Sequence, residues 1–121
     1  MSRAGGAFGL SGDARLRRAS EIQEVFQQGR REERRAFVLL WVPRHGAARA
    51  GFAVSRQIRG AVLRNRARRR IREAYRGLGS ANLRGVDAVF VARAWALNAP
   101  LDQLRAEVAS AHAAASRSAG E

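Results

Sequence analysis

Arg64-Asn65-Arg66, followed by Arg68, Arg69, Arg70 and Arg72, is the densest grouping of chemically capable side chains in the sequence. A guanidinium presents its donors in a planar fork that matches phosphate oxygens two at a time. At about 100° per residue, a helix over this stretch stacks Leu63, Ala67, Ile71, Ala74 and Leu78 on one side. Asn65, Arg68, Arg69, Arg72 and Arg76 then fall on the other, with Arg64 and Arg66 on the flanks. Like charges along one helix face repel, so the arrangement costs stability unless an anion neutralises it. A merely solvated charged face would mix Glu with Arg, and here Glu73 stands alone. Asn65 is a poor interior helix former because its amide competes for backbone hydrogen bonds. Among arginines it suits a base edge, a ribose or a phosphate-bound water. This is chemistry for binding a polyanion, foremost a nucleic acid.

Little in the chain could break a bond. Zero cysteines exclude disulfides, thiolate metal sites and a cysteine nucleophile. His45 in a turn and His112 near the end have no Asp at a recognisable catalytic spacing, and both read as surface residues. Glu32-Glu33 are adjacent acids, yet they sit among four arginines and balance charge there, whereas two-metal nucleases need clustered carboxylates. No Gly-rich phosphate loop or zinc-ligand pattern is present. The expectation is a binding protein with no catalytic residue and no metal or cofactor of its own.

Charge placement points the same way. The chain has a net charge of +13, and all 23 of its cations are Arg. Residues 56–76 carry nine Arg and one acid, so +8 of the total lies in this one stretch.

The elements that must position this stretch follow from periodicity and punctuation. A chain of 121 residues has room for one domain. Glycine-rich residues 1–14 read as a flexible arm, 15–112 as the domain and 113–121 as a frayed tail. Ser20 as N-cap with Gln23 opens a helix over 20–28, stopped by Gly29, with Ile22, Val25 and Phe26 on one face. Residues 30–35 form a charged connector with room for a brief edge strand. Residues 36–42 are a strand ended by Pro43, with a turn at His45-Gly46, and 50–55 read as the returning strand of a hairpin. The basic helix spans about 61–78, stopped by Gly77 and Gly79. A buried-type strand follows at 86–92. Asn98-Ala99-Pro100 then opens a final helix with Leu101, Leu104, Val108 and Ala111 at helical spacing. The class is α+β, a two-layer α/β sandwich in the order α-β-β(-β)-α-β-α, with one sheet covered on one face. No apolar run approaches the roughly 18 residues of a membrane span, so a soluble cytoplasmic protein is expected.

Gly51-Phe52-Ala53-Val54-Ser55-Arg56, then Ala61-Val62-Leu63-Arg64-Asn65-Arg66-Ala67-Arg68-Arg69-Arg70-Ile71-Arg72-Glu73-Ala74-Tyr75, closely resemble the protein subunit of bacterial ribonuclease P. The likeness runs from Arg15-Leu16 through Val25-Phe26 and Gly29 to the 87–93 strand and the last helix. It implies a parallel strand–helix–strand unit that crosses left-handedly, against the usual preference. It also implies an endonuclease holoenzyme whose RNA subunit uses Mg²⁺ to remove the 5′ leader of precursor tRNA. The protein would hold that catalytic RNA and grip the leader in a cleft between first helix and sheet, with no membrane and no protein partner required. Arg56, Arg64, Asn65, Arg66, Arg68, Arg69, Arg72 and Arg76 are then the expected RNA contacts. Ile22, Phe26, Leu40 and Phe52 are the expected cleft residues. Phe26 at helical spacing reads equally as core or as a ring exposed for base stacking. Ile22 and Leu40 stand where the family often has an aromatic, and Gln57 where many members have a second cation. Three other readings compete: a ribosomal-type structural RNA-binding protein with no role in tRNA maturation, a stand-alone nuclease, and an amphipathic membrane-surface binder. Scarce paired carboxylates oppose the nuclease, and an Ala-rich apolar face without interfacial Trp opposes the membrane binder.

Overall fold

In the computed structural model, residues 19–78 and 84–120 are described. The expected arm at 1–14, the Arg15-Leu16 pair and the Gly79 stop lie outside them. Helix α1 (Ala19–Gln28) is followed by strands β1 (Arg30–Glu33), β2 (Phe37–Ala47) and β3 (Arg49–Val54). Helix α2 (Ala61–Arg76) leads to β4 (Arg84–Ala92), a 3-10 helix at Ala94–Leu97 and helix α3 (Leu101–Gly120). Helix α1 already includes Ala19, so Ser20 lies inside it rather than at its cap. No helix among the described residues is long and apolar enough to cross a membrane.

The four strands form one sheet in the order β1-β2-β4-β3. β2 is antiparallel to β1 and β4, and β3 runs parallel to β4. The expected hairpin is therefore absent: β4 lies between β2 and β3. Val86, Ala88, Val89, Phe90 and Ala92 are all buried, and a strand buried on both faces gains most from pairing on both edges. The parallel pair is joined through α2, the strand–helix–strand unit that the resemblance implies. Pro43 does not end β2. It has no amide hydrogen for the ladder, and the register with β4 shifts between Pro43 and Ala47.

The sheet is covered on both faces, not one. Strand alternation sends Phe37, Leu39 and Trp41 into a large core with Phe90, Ile71, Leu104 and Val108, beneath α2 and α3. Val38 and Leu40 face the other way and pack with Val25, Val89 and Ile22 beneath α1. Gly29 lets α1 turn closely onto β2: a Cβ there would stand 2.3 Å from the Val25 carbonyl oxygen and 3.2 Å from the Trp41 backbone. Arg49 ties the same helix down, bonding both Asp87 oxygens at 2.9 Å and Glu21 at 3.0 Å.

The wheel of α2 holds for Ala67, Ile71 and Ala74, which are buried, but Leu63 is 44% exposed and Tyr75 fills the core instead. Helix α3 continues to Gly120, so 113–120 is helical rather than frayed. The cause is continued spacing: Ala111 and Ala115 extend the buried row begun by Leu104 and Val108. His112 is fully buried, not a surface residue, and its ring packs against Tyr75 and Phe90.

Candidate nucleic-acid interface

Gly60 adopts φ 90 before α2, a conformation that favours glycine, and turns the chain from β3 into the helix. The first turn holds no acid, so the positive end of the helix dipole adds to the arginines instead of opposing them. The guanidiniums then divide into two groups.

One group works inward. Arg64 Nη1 donates to the carbonyls of Ser55 (2.9 Å) and Ile58 (3.0 Å), and its Nη2 to that of Val54 (3.2 Å). It locks the β3–α2 connection. Arg70, part of the arginine motif but not among the expected RNA contacts, donates to the carbonyls of Ala96 and Ala99. Arg72 is buried at 7% exposure, so this expected RNA contact does not face solvent.

The other group faces outward. Arg56, Arg66 and Arg69 are exposed, as is Arg59, which was not singled out. None of the four pairs with a carboxylate among the described residues. Asn65 is exposed too, and its Oδ1 accepts a bond from Arg68 Nη1 at 3.0 Å, so it orients that cation. Arg76 pairs with Glu73 at 3.2 Å. These exposed guanidiniums give this side of the molecule a dense positive charge.

A cleft of about 340 Å³ lies beside it, between α1 and the sheet. Val38, Leu40 and Val91 form its apolar floor, and Phe26, 47% exposed, its aromatic rim. Ser55, Gln57, Arg31 and Arg93 supply the polar margin. Ile22 is half-buried in the small core behind this wall. Phe52 is not in the cleft. Its ring packs with Tyr75 (5.6 Å) and Phe90 (5.9 Å) on the other face, because β3 pairs Phe52 with Phe90 in register. Arg31 and Arg93 were missed; the parity of β1 against Leu40 could have found the first, since Arg31 is its ladder partner. The segment 55–57 touches both surfaces: Ser55 and Gln57 line the cleft, and Arg56 joins the exposed cations. Ser55 N–H is held by the Ala92 carbonyl at 2.8 Å. No three His, Asp or Glu side chains converge to hold a metal ion among the described residues.

An α+β sandwich with an acid-poor arginine helix beside an aromatic-rimmed cleft defines a nucleic-acid-binding module. The chain belongs to the ribonuclease P protein family, matching the Ribonuclease P family over residues 10–116. It is 43% identical over 96 residues to the ribonuclease P protein component of Chloroflexus aurantiacus, covering 78% of this chain and 71% of that one. In fold it is similar to the RNase P protein of Staphylococcus aureus, with TM-score 0.67, 23% identity and coverage of 84% and 94% of the two chains. The Thermotoga maritima RNase P protein gives TM-score 0.69 at 23% identity, with 81% and 94% covered. Membership of this family disfavours the ribosomal-type alternative.

Proposed function

We propose that this chain is the RNA-binding component of a ribonuclease P holoenzyme that removes the 5′ leader of precursor tRNA in the cytoplasm. In this reading the RNA subunit carries catalysis and uses Mg²⁺, while the protein supplies binding alone. The observation that carries it is the adjacency of two unlike surfaces at residues 55–57. The exposed arginines of α2 suit the dense phosphates of a folded RNA, where each contact releases condensed counterions. The cleft suits an unpaired strand, whose bases stack on an aromatic rim while cations follow the backbone. A strand lying in the cleft and a folded RNA on α2 would be joined where leader meets tRNA. Neutralising phosphates at that junction lowers the demand on Mg²⁺.

Reconstitution with a bacterial ribonuclease P RNA at low Mg²⁺ tests this. The protein should raise cleavage of precursor tRNA well above that of the RNA alone. Unchanged cleavage, with both components folded, refutes the reading. Protein incubated with RNA and Mg²⁺ but without the RNA subunit should cleave nothing.

A further inference from the structure

Glu33 stands between two cations of the cleft. Its Oε2 accepts from Arg31 Nε at 3.0 Å, and its Oε1 lies 3.6 Å from Arg93 Nη1. One carboxylate thus bridges arginines that reach the cleft from β1 and from just past β4. The Arg31 hydrogen bond, reinforced by its charge, holds the Glu33 carboxyl below the usual range, so it is ionised at neutral pH. Alternation along β1 sends Glu32 to the opposite face, where it accepts from Arg34 Nη2 at 2.7 Å.

The two arginines have other anchors. Arg31 sits in the β1–β2 ladder, and Arg93 Nη1 donates to the Arg34 carbonyl at 3.1 Å. An exposed ion pair such as Arg31–Glu33 adds little to folding. Glu33 therefore matters less as a strut than as an anion.

We propose that Arg31 and Arg93 form a phosphate site of which Glu33 is the resident anion, displaced when a backbone phosphate of single-stranded RNA enters. The site rests on the cleft reading above. A phosphodiester carries one negative charge, as the carboxylate does, and can bridge the same two guanidiniums. Once displaced, Glu33 still faces the phosphate and repels it. The residue thus sets how tightly the cleft holds its strand, and removing its charge tightens the grip.

The test uses holoenzyme reconstituted with wild type, Glu33→Gln or Glu32→Gln. Affinity is measured for precursor tRNA bearing a leader of several nucleotides and for mature tRNA. Glu33→Gln should bind the leader-bearing substrate about three- to tenfold more tightly. Its log affinity should fall more steeply with log salt, by about 0.7. Mature tRNA should bind as before. Glu32→Gln makes the same charge change on the other face and should alter neither affinity. Adding Arg31→Ala to Glu33→Gln should abolish the gain. Unchanged or weaker leader binding by Glu33→Gln overturns the inference, as does an equal gain from Glu32→Gln. Should wild type fail to distinguish the two substrates, the cleft reading falls and this inference with it. A wild-type preference that Glu33→Gln leaves untouched sinks the inference alone.

Discussion

Arg70 Nε donates to the Ala96 carbonyl at 2.8 Å, tying α2 to the 3-10 helix that leads into α3. Arg69, the next residue back, is exposed and pairs with no carboxylate among the described residues. Two adjacent guanidiniums on one helix thus do different work. Arg70→Ala leaves the Ala96 and Ala99 carbonyls without their charged donor and should cost about 1–3 kcal/mol of stability. Arg69→Ala should leave the melting temperature nearly unchanged and weaken RNA binding. Thermal melts of both variants, with filter binding of the catalytic RNA, check the division.

Phosphate contacts leave a signature in salt dependence. Arg66→Ala and Arg69→Ala should each flatten the plot of log affinity against log salt by about 0.7 to 0.9. Arg64→Ala should instead lower stability, because its three carbonyl acceptors at the β3–α2 junction lose their donor. Equal slopes for wild type and the Arg66 and Arg69 variants would place the binding surface elsewhere.

How much of this was legible in advance differs by element. Ile71, Leu104 and Val108 were readable because helical spacing repeats over several turns and needs no partner to interpret. The apolar run from Phe37 to Val42 marks a strand, but neither the cover on its second face nor the neighbours on each face can be read from it. Phe52 went astray for that reason: strand parity separates it from Ala53, yet only pairing with β4, beyond a whole helix, decides which face each joins. Arg64 is expected among the RNA contacts and Arg70 is not, yet both donate to main-chain carbonyls at element ends and turns, acceptors that periodicity cannot show. Arg72 falls outward on a wheel that sorts residues by polarity alone, yet it is buried, and a wheel cannot show how wide an arc of α2 the rest of the fold covers.

His112 makes stability depend on pH. Burial pushes its imidazole down to about 4 from an ordinary 6.5, and Nε2 has no hydrogen-bond partner among the described residues. The folded protein keeps the ring neutral while the unfolded chain protonates it below about 6.5. Stability from this group is therefore complete above that value and drains away as pH falls toward 4. The loss is on the order of 3 kcal/mol. His112→Phe keeps a flat ring beside Tyr75 and Phe90 and removes the titrating nitrogen. Urea unfolding at pH 7 and pH 4.5 should show a much smaller difference for the variant. An unchanged difference would move the pH dependence to other groups.

Phe26 and Phe52 offer a paired test of which face holds the strand. Phe26 is 47% exposed at the cleft, so Phe26→Leu keeps apolar bulk, loses the flat π-face and sacrifices little packing. Base–aromatic stacking is worth about 1–3 kcal/mol per base, and leucine retains part of it. Leader-bearing precursor tRNA should therefore bind roughly fivefold more weakly, with mature tRNA and the melting temperature unaffected. Phe52→Leu breaks ring contacts with Tyr75 and Phe90 in the large core. It should cost about 1–2 kcal/mol and several degrees of melting temperature, with both substrates affected alike once the protein is folded. Leader-specific weakening from Phe52→Leu would move the strand to the other face of the sheet, and an equal loss on both substrates from Phe26→Leu would remove Phe26 from the strand's contacts.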